Sequence, residues 1–163
     1  MTGNSVSGSG RRGIQVKSAF TAVVSGNAVD GSGREGLEVL RMKTSAVVTD
    51  NTSSTNGRIG FRVKTVTNGT ITGNVSTAAG REAIVVYKVI GGTVDDNVGN
   101  ASAQSGIRIR RCSGLGVTNN QANGNGAYGF WVQGTPPFTT PADVTAAGNA
   151  ASGNTLADVR VDP

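Results

Sequence analysis

Apolar and polar residues alternate along this chain in short runs, and the runs recur. Gly-apolar-x-apolar appears as Gly13-Ile14-Gln15-Val16, Gly36-Leu37-Glu38-Val39, Gly60-Phe61-Arg62-Val63, Gly106-Ile107-Arg108-Ile109 and Gly129-Phe130-Trp131-Val132. Ala83-Ile84-Val85-Val86 and Asp158-Val159-Arg160-Val161 keep the frame without the glycine. A period of two marks a strand with one buried face. Aligning the runs produces apolar columns: Ile14, Leu37, Phe61, Ile84, Ile107, Phe130, Val159, and then Val16, Val39, Val63, Val86, Ile109, Val132, Val161. Further columns are Ala19, Met42, Val66, Val89, Cys112 and Val24, Val48, Ile71, Val94, Val117. No repeat has enough apolar surface to fold alone, so the repeats must stack.

A second marker runs through Asn4, Asn27, Asn51, Asn74, Asn97, Asn120 and Asn149, with spacings of 23, 24, 23, 23, 23 and 29. The Gly positions of the runs, 13, 36, 60, 83, 106, 129 and 158, have the same spacings in the same order. Two markers that absorb the same insertions belong to one structural unit. One insertion falls between Met42 and Ser45, the other around Gly134-Thr135-Pro136-Pro137-Phe138. Leucine-rich repeats share the period, but here the Asn lies 14 residues after the Gly, which excludes them.

The pattern Gly-Ile-x-Val followed by Val-x-Gly-Asn, as in Val24-Ser25-Gly26-Asn27 and Ile71-Thr72-Gly73-Asn74, resembles the right-handed parallel β-helix. That solenoid is shared by pectate lyases, other polysaccharide-active proteins, phage tailspikes and NosD-like repeat proteins. The resemblance covers nearly the whole chain. It implies an all-β, single-stranded, right-handed parallel β-helix of about seven coils with a period of about 23 residues, forming one domain over 1–163. It implies little about activity, because the same coil hosts lyases, hydrolases, epimerases and non-enzymes. The Asn column reads as stacked amides that hydrogen-bond one another and the turn backbone. Cys112, in an apolar column, reads as a small core residue.

Composition narrows the chemistry. With no His and a single Cys in 163 residues, His-dependent nucleophiles, imidazole metal sites, thiolate clusters and internal disulfides are excluded, and no cofactor is expected. The redox compartment and the localisation stay open. The longest apolar run, Ala83 to Tyr87, is far too short to cross a bilayer, and Met1-Thr2-Gly3-Asn4-Ser5 lacks the apolar segment of a signal peptide. A soluble chain with no membrane partner is expected.

Charge is segregated within the repeat. Counting each coil from its opening position as zero, all 15 Lys and Arg lie between −2 and +7, with five of the ten acids, leaving that window at +10. The other arc carries −5 from Asp30, Asp50, Asp95, Asp96 and Asp143. Net charge, +5, understates the field on one side. On the outward positions of the repeated strand, +2 reads Gln15, Glu38, Arg62, Val85, Arg108, Trp131, and +4 reads Lys17, Leu40, Lys64, Tyr87, Arg110, Gln133. Position +5 adds Arg41, Lys88 and Arg111. Bases beside aromatics suit an anionic polysaccharide, whose carboxylates or sulfates meet Arg and whose ring faces lie on Tyr or Trp. The candidate ligand-binding residues are therefore Arg62, Lys64, Tyr87, Lys88, Arg108, Arg110, Arg111 and Trp131. Equally, basic residues guard a solenoid against edge pairing, and the −2 column Arg11, Arg34, Arg58, Arg81 reads as such a device.

Catalysis is the alternative. A β-elimination lyase needs a base near the sugar C5 proton and a cation at the uronate carboxylate. Lys64, Tyr87 and Arg110 share one column on consecutive coils and could form such a centre without a metal. A calcium site is not expected, since no column holds acids in adjacent coils, and Glu38 is placed to pair with Arg62. The Pro136-Pro137-Phe138 insertion could clamp a ligand or cover the last coils. The hydroxyl column Thr2, Ser25, Thr49, Thr72, Thr118 is broken by Asp95 and does not make an ice-binding face. No recognised DNA- or RNA-binding module is present, so nucleic acid is not the expected partner. The chain opens inside a coil at Thr2-Gly3-Asn4, and closes one strand into another at Val159-Arg160-Val161. The expectation is a homo-oligomer, through the uncapped ends or through the sheet face with Leu40, Val85, Tyr87 and Trp131, or else a fragment of a longer solenoid.

Overall fold

The computed structural model describes residues 1–138, 140, 143–144 and 147–162. In chain order the strands are β1 (Ser5–Ser7), β2 (Ile14–Lys17), β3 (Thr21–Ser25), β4 (Ala28–Asp30), β5 (Leu37–Met42), β6 (Ser45–Thr49), β7 (Thr52–Ser54), β8 (Phe61–Thr72) and β9 (Val75–Thr77). They continue as β10 (Ile84–Asp95), β11 (Val98–Asn100), β12 (Ile107–Arg110), β13 (Ser113–Thr118), β14 (Gln121–Asn123), β15 (Tyr128–Gln133), β16 (Ala150–Ser152) and β17 (Ala157–Asp162). All pairings are parallel, between one coil and the next.

Each coil has three faces. The first is the path β2-β5-β8-β10-β12-β15-β17, seven strands long. The second runs through β3, β6, the later halves of β8 and β10, and β13, and the third is the seven-stranded sheet β1-β4-β7-β9-β11-β14-β16. The register aligns Ile14, Leu37, Phe61, Ile84, Ile107, Phe130 and Val159, so the apolar columns of the sequence are the stacked core of the solenoid. Phe61, Phe130, Leu37, Ile84 and Ile107 are fully buried, and Cys112 joins them with its thiol pushed up by burial. The single-residue insertion is absorbed at the corner near Thr44, where the N–H groups of Thr44 and Ser45 both donate to the Phe20 carbonyl.

The faces meet at left-handed bends. One corner column is Ser18, Arg41, Thr65, Lys88 and Arg111, with φ between 51° and 58°. A second runs through Gly26, Asp50, Gly73, Asp96 and Asn119, and a third through Gly31, Thr55, Ala78, Ala101 and Gly124. Only Gly adopts this region without a Cβ penalty. Thr65→Gly, at φ 56° on the exposed surface, is therefore expected to stabilise the protein by about 1 kcal/mol in thermal denaturation, where glycine normally destabilises a sheet protein. The coil-opening glycines serve a different need: a Cβ on Gly60 would lie 1.9 Å from the Ser76 hydroxyl of the facing sheet.

The Asn column is a buried ladder. Nδ2 of Asn27, Asn51, Asn74, Asn97 and Asn120 each donates to the Oδ1 of the next Asn at 2.8–2.9 Å, and that oxygen also accepts the backbone N–H of the same residue. The remaining Nδ2 proton is shared among carbonyls of the bend, as from Asn97 to Asp95 and Ile71. A second, broken ladder at Asn56, Asn125 and Asn154 satisfies the next corner.

Candidate functional site

The first sheet turns its odd-numbered offsets inward and its +2 and +4 columns outward. In register, Val85 pairs with Arg62 on one side and Arg108 on the other, and Tyr87 pairs likewise with Lys64 and Arg110. A short apolar side chain between two arginines leaves a notch. The notch widens into an open groove of about 240 Å³, walled by Arg62, Arg108 and Arg110, with Arg58 and Arg81 along one edge and Tyr87 at the other. Glu82 and Ile59 form part of its floor.

The structure sorts the residues singled out in the sequence by what already holds them. Arg108 donates from Nη1 to Glu82 at 3.0 Å and from Nε and Nη2 to Gln133 Oε1 at 3.2 and 2.9 Å. Its guanidinium lies 3.9 Å from the centre of the Trp131 ring. Arg62 is 3.3 Å from Glu38, the pair anticipated from their stacking. Around Tyr87 the cations are less committed. Lys64 Nζ, Lys88 Nζ and the Arg110 guanidinium sit 5.3, 5.4 and 5.7 Å from its ring centre, and Arg111 Nη1 is 3.4 Å from its hydroxyl. Desolvation opposes ionisation of that hydroxyl, but the hydrogen bond from Arg111 and the charges of Lys88 and Arg111 together bring its pKa below the ordinary tyrosine value. Lys88 and Arg111 occupy the left-handed corner beside the sheet, so they flank Tyr87 without lining the groove.

Trp131 is drawn away from this group. Arg108 lies on its ring, Tyr128 is 5.5 Å from it at a tilt, and its indole N–H donates to Asp162 at 2.7 Å. That bond, with one from Arg160, holds the Asp162 carboxyl below its usual range. Trp131 thus serves as the bed for Arg108 and is only partly exposed. The Pro136-Pro137-Phe138 insertion does not wall the groove: Phe138 turns inward and joins Val144 in the core cluster. Position gave these placements no warning, because alternation fixes which side a residue faces and not which neighbour folds over it.

Sequence reasoning also missed the floor. Glu38, at an outward offset, is 1% exposed because Arg12 Nε closes over it at 2.8 Å and Gln15 Nε2 donates to it. Glu35 and Glu82 are equally buried. Arg58 and Arg81, assigned by the sequence to a guarding column, border the groove. A legible signal existed at −1, where Arg12, Glu35, Ile59, Glu82, Ser105 and Tyr128 break the regularity of every neighbouring column. A second concavity of about 410 Å³ lies at the corner near Arg41, Met42, Lys43, Lys88 and Ile90. Among the described residues no group of three or more acids, Cys or His is placed to hold a metal ion, and no helix is long and apolar enough to cross a membrane.

Comparison with known proteins places this architecture. The solved structure of the periplasmic alginate epimerase AlgG superposes with a TM-score of 0.68 at 14% identity, over 96% of this chain and 43% of that one. The Dettilon tailspike protein superposes with a TM-score of 0.56 at 16% identity, over 86% of this chain and 30% of that one. The chain thus spans less than half the length of either, and at these identities the likeness is one of fold. No curated protein matches the sequence. The family described as right handed beta helix region matches residues 1–151, which fixes the hand of the coil. With that match added to the parallel three-faced solenoid and its Asn ladder, the chain belongs to the right-handed β-helix family.

Proposed function

We propose that this β-helix is a binding and structural module whose basic first sheet takes acidic polysaccharide. The observation that carries the reading is the notch at Val85, with Arg62 and Arg108 in register on either side and Arg110, Arg58 and Arg81 around it. Guanidinium forks match carboxylate or sulfate oxygens, and several of them around one notch suit a polymer that carries such groups in series. Tyr87, ringed by Lys64, Lys88 and Arg110, offers a sugar a ring edge among cations. Likeness of fold to an alginate epimerase supports an acidic sugar polymer as the ligand class.

The test is calorimetric titration with oligomers of alginate and polygalacturonate against neutral glucan and galactan. Saturable binding of the acidic oligomers alone is expected, centred on the Arg62, Lys64, Tyr87, Arg108 and Arg110 surface. Equal binding of neutral oligomers sinks the reading. Light scattering in the same buffer shows whether the face is instead consumed by self-association through Leu40, Val85 and Tyr87.

A second reading, a metal-independent lyase, is favoured by one observation: the Tyr87 hydroxyl accepts from Arg111 Nη1 at 3.4 Å, which with the Lys88 and Arg111 charges eases its ionisation, while Arg110 stands 5.7 Å from its ring. In that reaction the tyrosinate takes the C5 proton, the C4–O bond breaks, and the departing oxygen collects a proton while Arg110 faces the uronate carboxylate. It predicts ultraviolet absorbance from an unsaturated product, abolished in Tyr87→Phe. If no absorbance develops on any uronate polymer, the lyase reading fails and binding alone stands.

A further inference from the structure

Three glutamates are buried directly beneath this basic surface: Glu35, Glu38 and Glu82 are 0%, 1% and 2% exposed. Both oxygens of Glu35 and Oε2 of Glu82 are buried without a hydrogen bond, although arginines stand near them as ion pairs. Burying a carboxylate carries a large desolvation penalty. The fold does not demand it here. The slot that holds Glu35 and Glu82, just before the coil opens, holds Ile59 in the coil between them and Ser105 in the next, and both of those are buried. An uncharged residue therefore fills the same place in the same coil geometry.

What the glutamates add is a grip on arginines. Arg12 and Arg62 converge on Glu35 and Glu38, and Arg108 is held by Glu82 from below, by Gln133 from the side and by Trp131 from behind. Of the five N–H groups of the Arg108 guanidinium, those three hydrogen bonds leave two uncommitted, one on each terminal nitrogen. We propose that Glu82, together with Glu35 and Glu38, is a positioning residue that fixes the groove arginines in a ligand-ready orientation. The inference rests on the reading of the groove as an acidic-polysaccharide surface. Arginine held in place before binding loses less side-chain freedom when the ligand arrives.

Coulomb's law and positioning predict opposite signs. Removing a negative charge from a groove for anions should tighten binding if charge alone matters. If Glu82 positions Arg108, the same change should weaken it. The experiment is titration of a galacturonate hexamer into the wild type, Glu82→Gln and Glu82→Ile, the last borrowing the residue found at 59. About tenfold weaker binding is expected in both variants, with the cooperative thermal transition retained. Unchanged or tighter binding overturns the proposal. A readout independent of ligand accompanies it: the Arg108 side-chain nitrogen resonances, resolved by comparison with Arg108→Lys, should show restricted rotation in the wild type and averaging in Glu82→Gln. Identical resonances in the two proteins also overturn it. If the wild type binds no acidic oligomer, the groove reading fails, and the resonances still report whether Glu82 orients Arg108.

Discussion

Asn97→Ala is expected to lower the unfolding free energy by about 4 kcal/mol, as measured by urea denaturation. Five side-chain hydrogen bonds disappear with the amide: those from the Asn74 N–H and Nδ2 to Oδ1, and those from Nδ2 to Ile71, Asp95 and Asn120. Asn97 is fully buried, so water cannot replace them, and each orphaned donor or acceptor costs on the order of 1 kcal/mol or more. The midpoint of thermal unfolding should fall by roughly 10 °C in a chain of this size. Asn97→Asp should approach the same loss, because a carboxylate keeps the acceptor but cannot donate to Ile71 or Asp95. Asn4→Ala, on an exposed rung whose side chain only donates, from Nδ2 to Asn27 Oδ1 and the Thr2 carbonyl, should cost about 1 kcal/mol or less. Equal losses at Asn4 and Asn97 would show that the ladder is decoration on a fold held by its apolar columns.

The other large effect concerns the groove. Val85→Glu places a carboxylate in register between Arg62 and Arg108 and leaves every basic residue of the groove unchanged. The fold already uses this arrangement: Glu38, two coils away in the same column, reaches Arg62 at 3.3 Å from the far side. The introduced carboxylate should occupy the notch as an internal ligand and exclude an acidic oligomer. A loss of about thirtyfold in affinity or more, equivalent to about 2 kcal/mol, is expected with stability unchanged or raised. Val85→Gln has the same reach without the charge and should cost much less. If Val85→Glu binds acidic oligomers as well as the wild type, the notch is not where they sit.

The two effects divide along the line between what the residue pattern discloses and what it conceals. The coil, its register and the ladder were legible because each depends on one residue type recurring at one spacing, and stacking forces equal positions into contact. The single-residue insertion near Thr44 was legible for the same reason, since both markers shift together. The state of the outward face was not. Glu38 and Trp131 occupy the same outward column, yet one is sealed by Arg12 and the other is covered by Arg108. Which long side chain lies over which neighbour depends on rotamers chosen jointly across coils, and alternation does not encode them. The left-handed bends at Thr65, Ala78 and Lys88 were hidden as well, because hydrogen bonding along the solenoid imposes them on residues that do not prefer them.

The structure divides the basic residues of the first sheet by their neighbours. Of the eight residues first assigned to ligand, Lys64, Tyr87, Lys88, Arg110 and Arg111 form one cluster, while Arg62 and Arg108 are walls braced by buried glutamates and Trp131 is a brace behind Arg108. Such bracing is what the proposed ligand surface calls for, whereas exposed lysines and arginines discourage aggregation without fixed geometry.

The most direct test is the salt dependence of galacturonate-oligomer binding to the wild-type protein, with Arg110→Ala in parallel. The groove account predicts saturable binding at low ionic strength that weakens by about tenfold or more on raising salt to about 0.5 M, through screening of several close charge pairs. It also predicts a shallower salt dependence for Arg110→Ala. Absence of binding at low salt, or binding indifferent to both salt and Arg110, would contradict it.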